Sequence, residues 1–217
     1  MNAAGLVLGI STGVAPEVAL VSDSHNIAFA SDRGALESVA TLLDQALVEA
    51  GATIGDLRMI GVCTGPGSFT GLRIGVSFAR TLAQSLDLPI VGISSYDVVS
   101  FGKARFPLVS VARGKRDFYY ARILIDSTSA PRFMRGARSD IEQVVAELAS
   151  GGRAAEVVGP DFEELASGDA ARAVARLAIE AGVRMRNSSW KDIAIDYGQP
   201  PNAVLNWERR SRTGRPP

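Results

Sequence analysis

Two residue types that carry much of metal and nucleophile chemistry are almost missing: the 217-residue chain has one cysteine, Cys63, and one histidine, His25. A single cysteine excludes an internal disulfide. Its setting, Met59-Ile60-Gly61-Val62-Cys63, predicts a buried and inert thiol. A lone histidine excludes any metal site that needs two imidazoles. A Ser-His-Asp relay would have to be drawn from Asp23-Ser24-His25-Asn26, which reads as a solvated turn. No run of 18 or more apolar residues occurs, and residues 1–5 lack the basic flank and cleavage pattern of a signal peptide, so the expectation is a cytoplasmic chain that makes no membrane contact. Net charge is absent too. The 23 Lys and Arg balance 23 Asp and Glu, leaving no overall field to draw the protein onto nucleic acid.

What is present is enough for a folded α/β protein, with 47% hydrophobic and 21% charged residues in a length that buries one sizeable core or two small ones. The charge balance hides an asymmetry. Residues 1–100 hold four Arg (Arg33, Arg58, Arg73, Arg80) and nine Asp or Glu, a net of 4 − 9 = −5, and the remainder holds 19 basic against 14 acidic residues, a net of +5. A sign change near residue 100 suggests two lobes, 1–102 and 103–217, with the last segment able to return to the first. Short apolar runs at 6–10, 17–21 and 27–30 read as a three-strand meander. Leu36, Val39, Ala40, Leu43, Leu47 and Ala50 then follow helical spacing, with Asp32 placed to cap the start and Gly51 to end the helix. A buried-type strand at 56–64, a helix at 71–86 and a strand at 89–93 continue as parallel βαβ units. In the second half, strands at 108–112 and 118–125 flank a Gly-containing hairpin, Arg113-Gly114-Lys115-Arg116-Asp117. Helices at 141–149 and 170–181 follow, with a short strand at 156–158 between them. The tail from Trp207, with Arg209, Arg210, Arg212 and Arg215, reads as a solvated terminus or as a weak phosphate contact.

The stretch from Thr64 to Gly75 carries the most information. Gly65, Gly67 and Gly71 let the backbone turn sharply between a buried strand and a helix, and Ser68 or Thr70 can cap that helix, whose first amides point outward. Gly65, Gly67, Ser68, Phe69, Thr70, Gly71 and Arg73 are therefore candidates for a phosphate contact, and a tight structural turn accounts for the same spacing. The segment is not a Walker loop, because no Lys-Ser/Thr follows the glycines, and it does not fit the dinucleotide spacing. Gly71, Gly75, Ala79 and Ala83 recur every four residues, a stripe of small side chains that permits close approach of another element. That element is either the chain's own core or a second protein.

"GPGSFTGLRIGV", followed by "ARTLAQSLDLPIVGISSYDVV", resembles the signature of the TsaB (YeaZ) family, partner proteins in the synthesis of threonylcarbamoyladenosine on tRNA. The likeness extends upstream through "LLDQALVEAGATIGDLRMIGVCTGPG" and downstream to "VARGKRDFYYA". "DYGQPPNAV" is similar to the family's C-terminal segment, and residues 5–125 carry most of the match. The resemblance implies a two-lobed α/β fold of the actin/hexokinase/Hsp70 (ribonuclease H-like) class, with mixed sheets flanked by helices. It implies a non-catalytic subunit that pairs with a TsaD-like catalytic subunit, joined by a TsaE-like ATPase, or that pairs with itself. Transfer would be to adenosine 37 of tRNA, and tRNA would be met only through the complex. No catalytic and no metal-binding residue is expected here. No cofactor is expected on the chain alone, with ATP or ADP at a subunit junction. The partner face implied by the family is the first two helices, carried onto Leu36, Val39, Ala40, Leu43, Gly71, Leu72, Gly75, Val76, Ala79 and Arg80.

Two departures stand out. The family's first strand ends in Asp-Thr-Ser, whereas this chain reads Gly9-Ile10-Ser11-Thr12, and isoleucine cannot hold a magnesium-bound water. The family's His-Ser-Glu before the first helix is replaced by Gly34-Ala35-Leu36-Glu37. The competing function is a small-molecule kinase or ATPase of the same fold class; a metallopeptidase fits poorly with one histidine.

Overall fold

The computed structural model describes residues 5–115, 117–163, 165–182 and 189–198. The basic tail from Trp207 lies outside them. Two mixed sheets form the frame. The first has the order β3-β2-β1-β4-β5, built from β1 (Leu6–Ser11), β2 (Glu17–Val21), β3 (Asn26–Ala30), β4 (Leu57–Gly65) and β5 (Ile90–Ser94). Strands β1, β2 and β3 pair antiparallel as a meander, and β1, β4 and β5 pair parallel. His25 sits in the tight turn between β2 and β3, where the Ser22 amide donates to the His25 carbonyl at 2.8 Å.

Parallel strands need crossovers, and α1 (Ala35–Ala50) and α2 (Phe69–Leu86) supply them. Strand alternation sends Leu6, Leu8 and Ile10 to the side where α1 and α2 lie, and they pack there with Val39, Leu42, Leu43, Ala46, Leu47, Val76 and Ala79. Each large apolar side chain fully buried here contributes about 1.5–3 kcal/mol. Gly51 ends α1 in the left-handed conformation at φ 60°, a geometry that glycine adopts without a Cβ clash. The start of α1 differs from expectation: Gly34, not Asp32, is the N-cap, and no side chain caps the helix.

The opposite face of the first sheet is covered from the far end of the chain. Helix α5 (Asp169–Gly182) lays Ala171, Val174, Ala175 and Ala178 on Val7, Ala19, Val21 and Cys63. It comes so close that a Cβ on Gly9 would strike the Ala171 carbonyl, and one on Gly61 would lie 2.8 Å from the Ala178 methyl. Residues 189–198 also return to this lobe: Trp190, Ile193 and Ile195 pack against the α1–α2 side, and the Asp196 amide donates to the Thr64 carbonyl at 2.8 Å.

The second sheet has the order β8-β7-β6-β9, from β6 (Leu108–Arg113), β7 (Phe118–Leu124), β8 (Arg132–Ala137) and β9 (Glu156–Val158). Helix α4 (Arg138–Ser150) covers one face, with Ile141 wholly buried against Val109, Val111, Tyr119 and Ile123. Short α3 (Ser95–Val99) bears on the other, through Tyr96 against Ala112 and Tyr120 and through Val99 against Leu108 and Val158. Among the strands and α-helices, two were not foreseen from sequence. Strand β8, Arg-Phe-Met-Arg-Gly-Ala, is mostly exposed, so it lacks the apolar run that marks a strand. Helix α3 is only five residues long, too short for a periodic pattern.

Candidate functional site

The signature loop is held from below by the turn after β1. Ser68 donates its amide to the Gly13 carbonyl at 3.0 Å, and its side chain caps α2 by accepting from the Gly71 amide at 3.3 Å. The Gly65–Pro66 peptide is cis, and Gly65 has φ 109°, a value that side chains rarely tolerate. The residues named from sequence for a phosphate contact come together on this loop but face different ways. Gly65 and Gly71 are buried, Gly67 and Ser68 are half-buried, and Phe69, Thr70 and Arg73 are exposed. Phe69 stacks on Tyr197 at 4.8 Å between ring centroids, and the Arg73 guanidinium lies 5.4 Å over the Phe69 ring. Arg73 thus sits on an aromatic face, and two of the loop's polar groups are spent on its own fold.

The small-residue stripe of α2 faces inward. A Cβ on Gly71 would strike the Thr12 carbonyl, and one on Gly75 would strike the Thr12 hydroxyl. Ala79 and Ala83 are buried in the first core. The stripe therefore lets α2 approach the chain's own β1 turn, and this corrects the assignment of Gly71, Gly75 and Ala79 to a partner face. Val39, Leu43, Leu72 and Val76 are likewise buried, each at 3% exposure or less, because the same helical periodicity that marks an apolar stripe marks a core face. Arg80 is half-buried, its guanidinium 5.6 Å from the Trp190 ring. Of the ten residues nominated for the partner face, Leu36 and Ala40 are the exposed ones, Leu36 at 80%. Val48, at 81%, was not nominated, although it continues the row that runs Leu36, Ala40, Asp44 at intervals of four.

Between the sheets runs a narrow cleft. Ser11, Gly13, Cys63, Gly67, Ser95 and Arg113 line one part of it, of about 60 Å³. A neighbouring part of about 140 Å³ is bordered by Val14, Glu17, Pro160 and Ala170. Ligand sites for drug-sized molecules run to roughly 300–1,000 Å³, and each part of the cleft is smaller than that. Its charges are also engaged. Arg113 pairs with Asp117 and Asp161, each at 3.4 Å. The first amides of α5, an anion site by geometry, are already met by Glu17, which accepts from the Ala171 amide at 3.1 Å. Burial raises the pKa of Glu17, and amide hydrogen bonds from Ala171, Gly168 and Ala170 pull the other way. Cys63, 2% exposed, lies 3.1 Å from the Ser95 hydroxyl, and burial pushes its thiol pKa up, which disfavours the thiolate needed for nucleophilic work. Ile10 does not line the cleft; it is fully buried with the α1–α2 core. Among the described residues no group of three or more His, Cys, Asp or Glu is arranged to hold a metal ion, and no helix is long and apolar enough to cross a membrane.

Comparison with known proteins places these features in context. The family model described as "TsaD: tRNA N6-adenosine threonylcarbamoyltransferase" matches residues 12–195. Over 65 residues the chain is 45% identical to the tRNA threonylcarbamoyladenosine biosynthesis protein TsaB of Bacillus subtilis, a stretch that is 28% of either chain. Over 81 residues it is 40% identical to the tRNA N6-adenosine threonylcarbamoyltransferase of Syntrophotalea carbinolica, 37% of this chain and 20% of that protein. The chain thus spans between a fifth and a third of the length of these two relatives. The solved structure of YeaZ from Pseudomonas aeruginosa superposes with a TM-score of 0.68 at 18% identity, covering 89% of this chain and 99% of that one. The two mixed sheets with flanking helices are those of the actin-like class.

Proposed function

Because the chain belongs to the tRNA N6-adenosine threonylcarbamoyltransferase (TsaD-type) family, with the TsaB/YeaZ signature within it, we propose that it is a TsaB-type partner subunit in threonylcarbamoyladenosine synthesis on tRNA. In this reading it performs no transfer itself and docks on a TsaD-like catalytic subunit, or on a second copy of itself, with a TsaE-like ATPase joining the assembly. Any ATP or ADP is held at the subunit junction, where a partner supplies what the narrow cleft lacks, and the chain works in the cytoplasm and meets tRNA as part of the complex.

The observation that supports docking is the outer row of α1, where Leu36 and Val48 stand about four-fifths exposed with Ala40 and Asp44 between them. Large apolar side chains aligned on one helix row gain free energy by burial of about 25 cal/mol per Å² when a partner covers them. The kinase or ATPase reading is disfavoured by the size of the cleft and by the Glu17 carboxylate at the α5 amides, which repels an incoming phosphate.

Mixing tests the proposal. Purified chain and the TsaD of the same organism, combined with ATP, are expected to co-elute in size-exclusion chromatography with light scattering. The double substitution Leu36→Glu, Ala40→Arg should abolish co-elution while shifting stability by no more than about 0.5 kcal/mol, as expected of exposed sites. Wild-type proteins that elute separately would overturn the docking claim.

A further inference from the structure

An open groove of about 550 Å³, sharing no lining residue with the cleft and not used in docking through α1, lies against α3. Tyr96 from α3, Tyr120 from β7, Phe133 and Arg135 from β8, and Asp196 and Gly198 from the return segment line it. Three parts of the fold converge there.

The two tyrosines form its floor. Each is 6% exposed as a whole residue, and neither hydroxyl is among the fully buried polar atoms of the described residues that lack a partner. Two charges of the groove act on these phenols, Asp196 on both and Arg135 on Tyr120, while Arg122, behind the groove, lies 5.5 Å over the Tyr96 ring. Burial, reinforced by Asp196, pushes the Tyr96 phenol up to about 12, so both hydroxyls stay protonated and able to donate at neutral pH. Phe133 stands at the rim, 63% exposed, with its ring centroid 5.7 Å from that of Tyr96. Arg135 is exposed beside it. Asp196 accepts from the Gly198 amide on Oδ1 at 2.7 Å and has a second oxygen to offer. An aromatic platform, two hydroxyls, one cation and one carboxylate suit a flat ring with a polar edge and an anionic substituent. Single-stranded nucleic acid is recognised in this way, by stacking on aromatic side chains and by hydrogen bonds to base edges.

We infer that this groove binds an unstacked nucleobase carrying an exocyclic amine: the base lies on Phe133, its edge meets Tyr96, Tyr120 and Asp196, and its phosphate meets Arg135. The groove adjoins the signature loop through the return segment, since Asp196 pairs with Thr64 and Tyr197 stacks on Phe69.

Calorimetry on the full chain tests the site with AMP, UMP, single-stranded heptaadenylate, and the same heptamer annealed to heptauridylate. AMP is expected to bind, and UMP, which lacks the exocyclic amine, to bind several-fold more weakly. Phe133→Ala is expected to cost roughly tenfold or more in affinity, from the loss of one stacking contact. Arg135→Glu should weaken AMP and flatten the salt dependence. Both positions are exposed, so both variants should fold. The docking-face variant Leu36→Glu, Ala40→Arg should bind AMP as the wild type does, which separates failure of this site from failure of the subunit reading. Tighter binding of the heptamer than of AMP assigns the ligand to unpaired RNA; equal binding assigns it to a free nucleotide. No binding of AMP or heptamer at millimolar concentration, affinity unchanged in both groove variants, or equal binding of the duplex overturns the site.

Discussion

Glu17 has exchanged water for the first amides of α5 and is 9% exposed. Desolvation disfavours the charged form and the amides favour it; burial is the larger effect, so its pKa lies above the ordinary 4.5. The folded state then holds this proton more tightly than the unfolded chain, and the linkage sign follows. Stability from this group is full below about 4.5 and is lost as pH rises through the raised native value. Glu17→Gln keeps an acceptor for the Ala171 amide and removes the titration. Its melting temperature relative to wild type should rise as pH increases from 4 until the native carboxyl is ionised, then level off. A difference that stays constant across that range would show that burial does not govern this carboxyl. Cys63 belongs to the same scale: its apolar neighbours in sequence announced a buried thiol, and it is one.

At the scale of elements, α2 shows how one pattern serves two purposes. Small residues every four positions permit close approach, and the sequence leaves open what approaches. Thr12 settles it, because its hydroxyl and carbonyl occupy the space beside Gly75 and Gly71. Gly75→Ala should therefore destabilise the protein by about 1–3 kcal/mol, the usual cost of overpacking, measured by urea denaturation. Unchanged stability would mean that the Thr12 side chain rotates away without cost. Helix α1 was legible in period and in its Gly51 stop, because both depend on local backbone chemistry. Its start was not, because Asp32 and Gly34 both suit a cap and the path of the chain out of β3 selects between them.

At the scale of the molecule, the two sheets are joined through α3. Arg122 of β7 donates to Asp97 of α3 at 2.6 Å and to the Ser100 hydroxyl at 3.4 Å, and its guanidinium lies 5.5 Å over the Tyr96 ring. With Arg122 only 16% exposed and Asp97 46% exposed, the contact is partly screened. Asp97→Asn should cost about 1 kcal/mol, between an exposed pair and a buried one, and should raise hydrogen exchange at α3 and β7 rather than at α1. Uniform exchange changes across both sheets would argue against a local clasp.

Local order in the chain determined much of this protein: the meander, the crossover helices, the glycine loop with a cap from Ser68 or Thr70, and a family signature dense enough to identify. These follow from residues near one another in sequence, where periodicity, capping and turn chemistry act. Tertiary structure alone decided which apolar faces are spent on the chain's own core, that α5 covers the first sheet, and that Tyr96, Tyr120, Phe133, Arg135 and Asp196 share one groove. Burial and long-range pairing are properties of the assembled fold, and residues a hundred positions apart carry no mark in the sequence that they will meet.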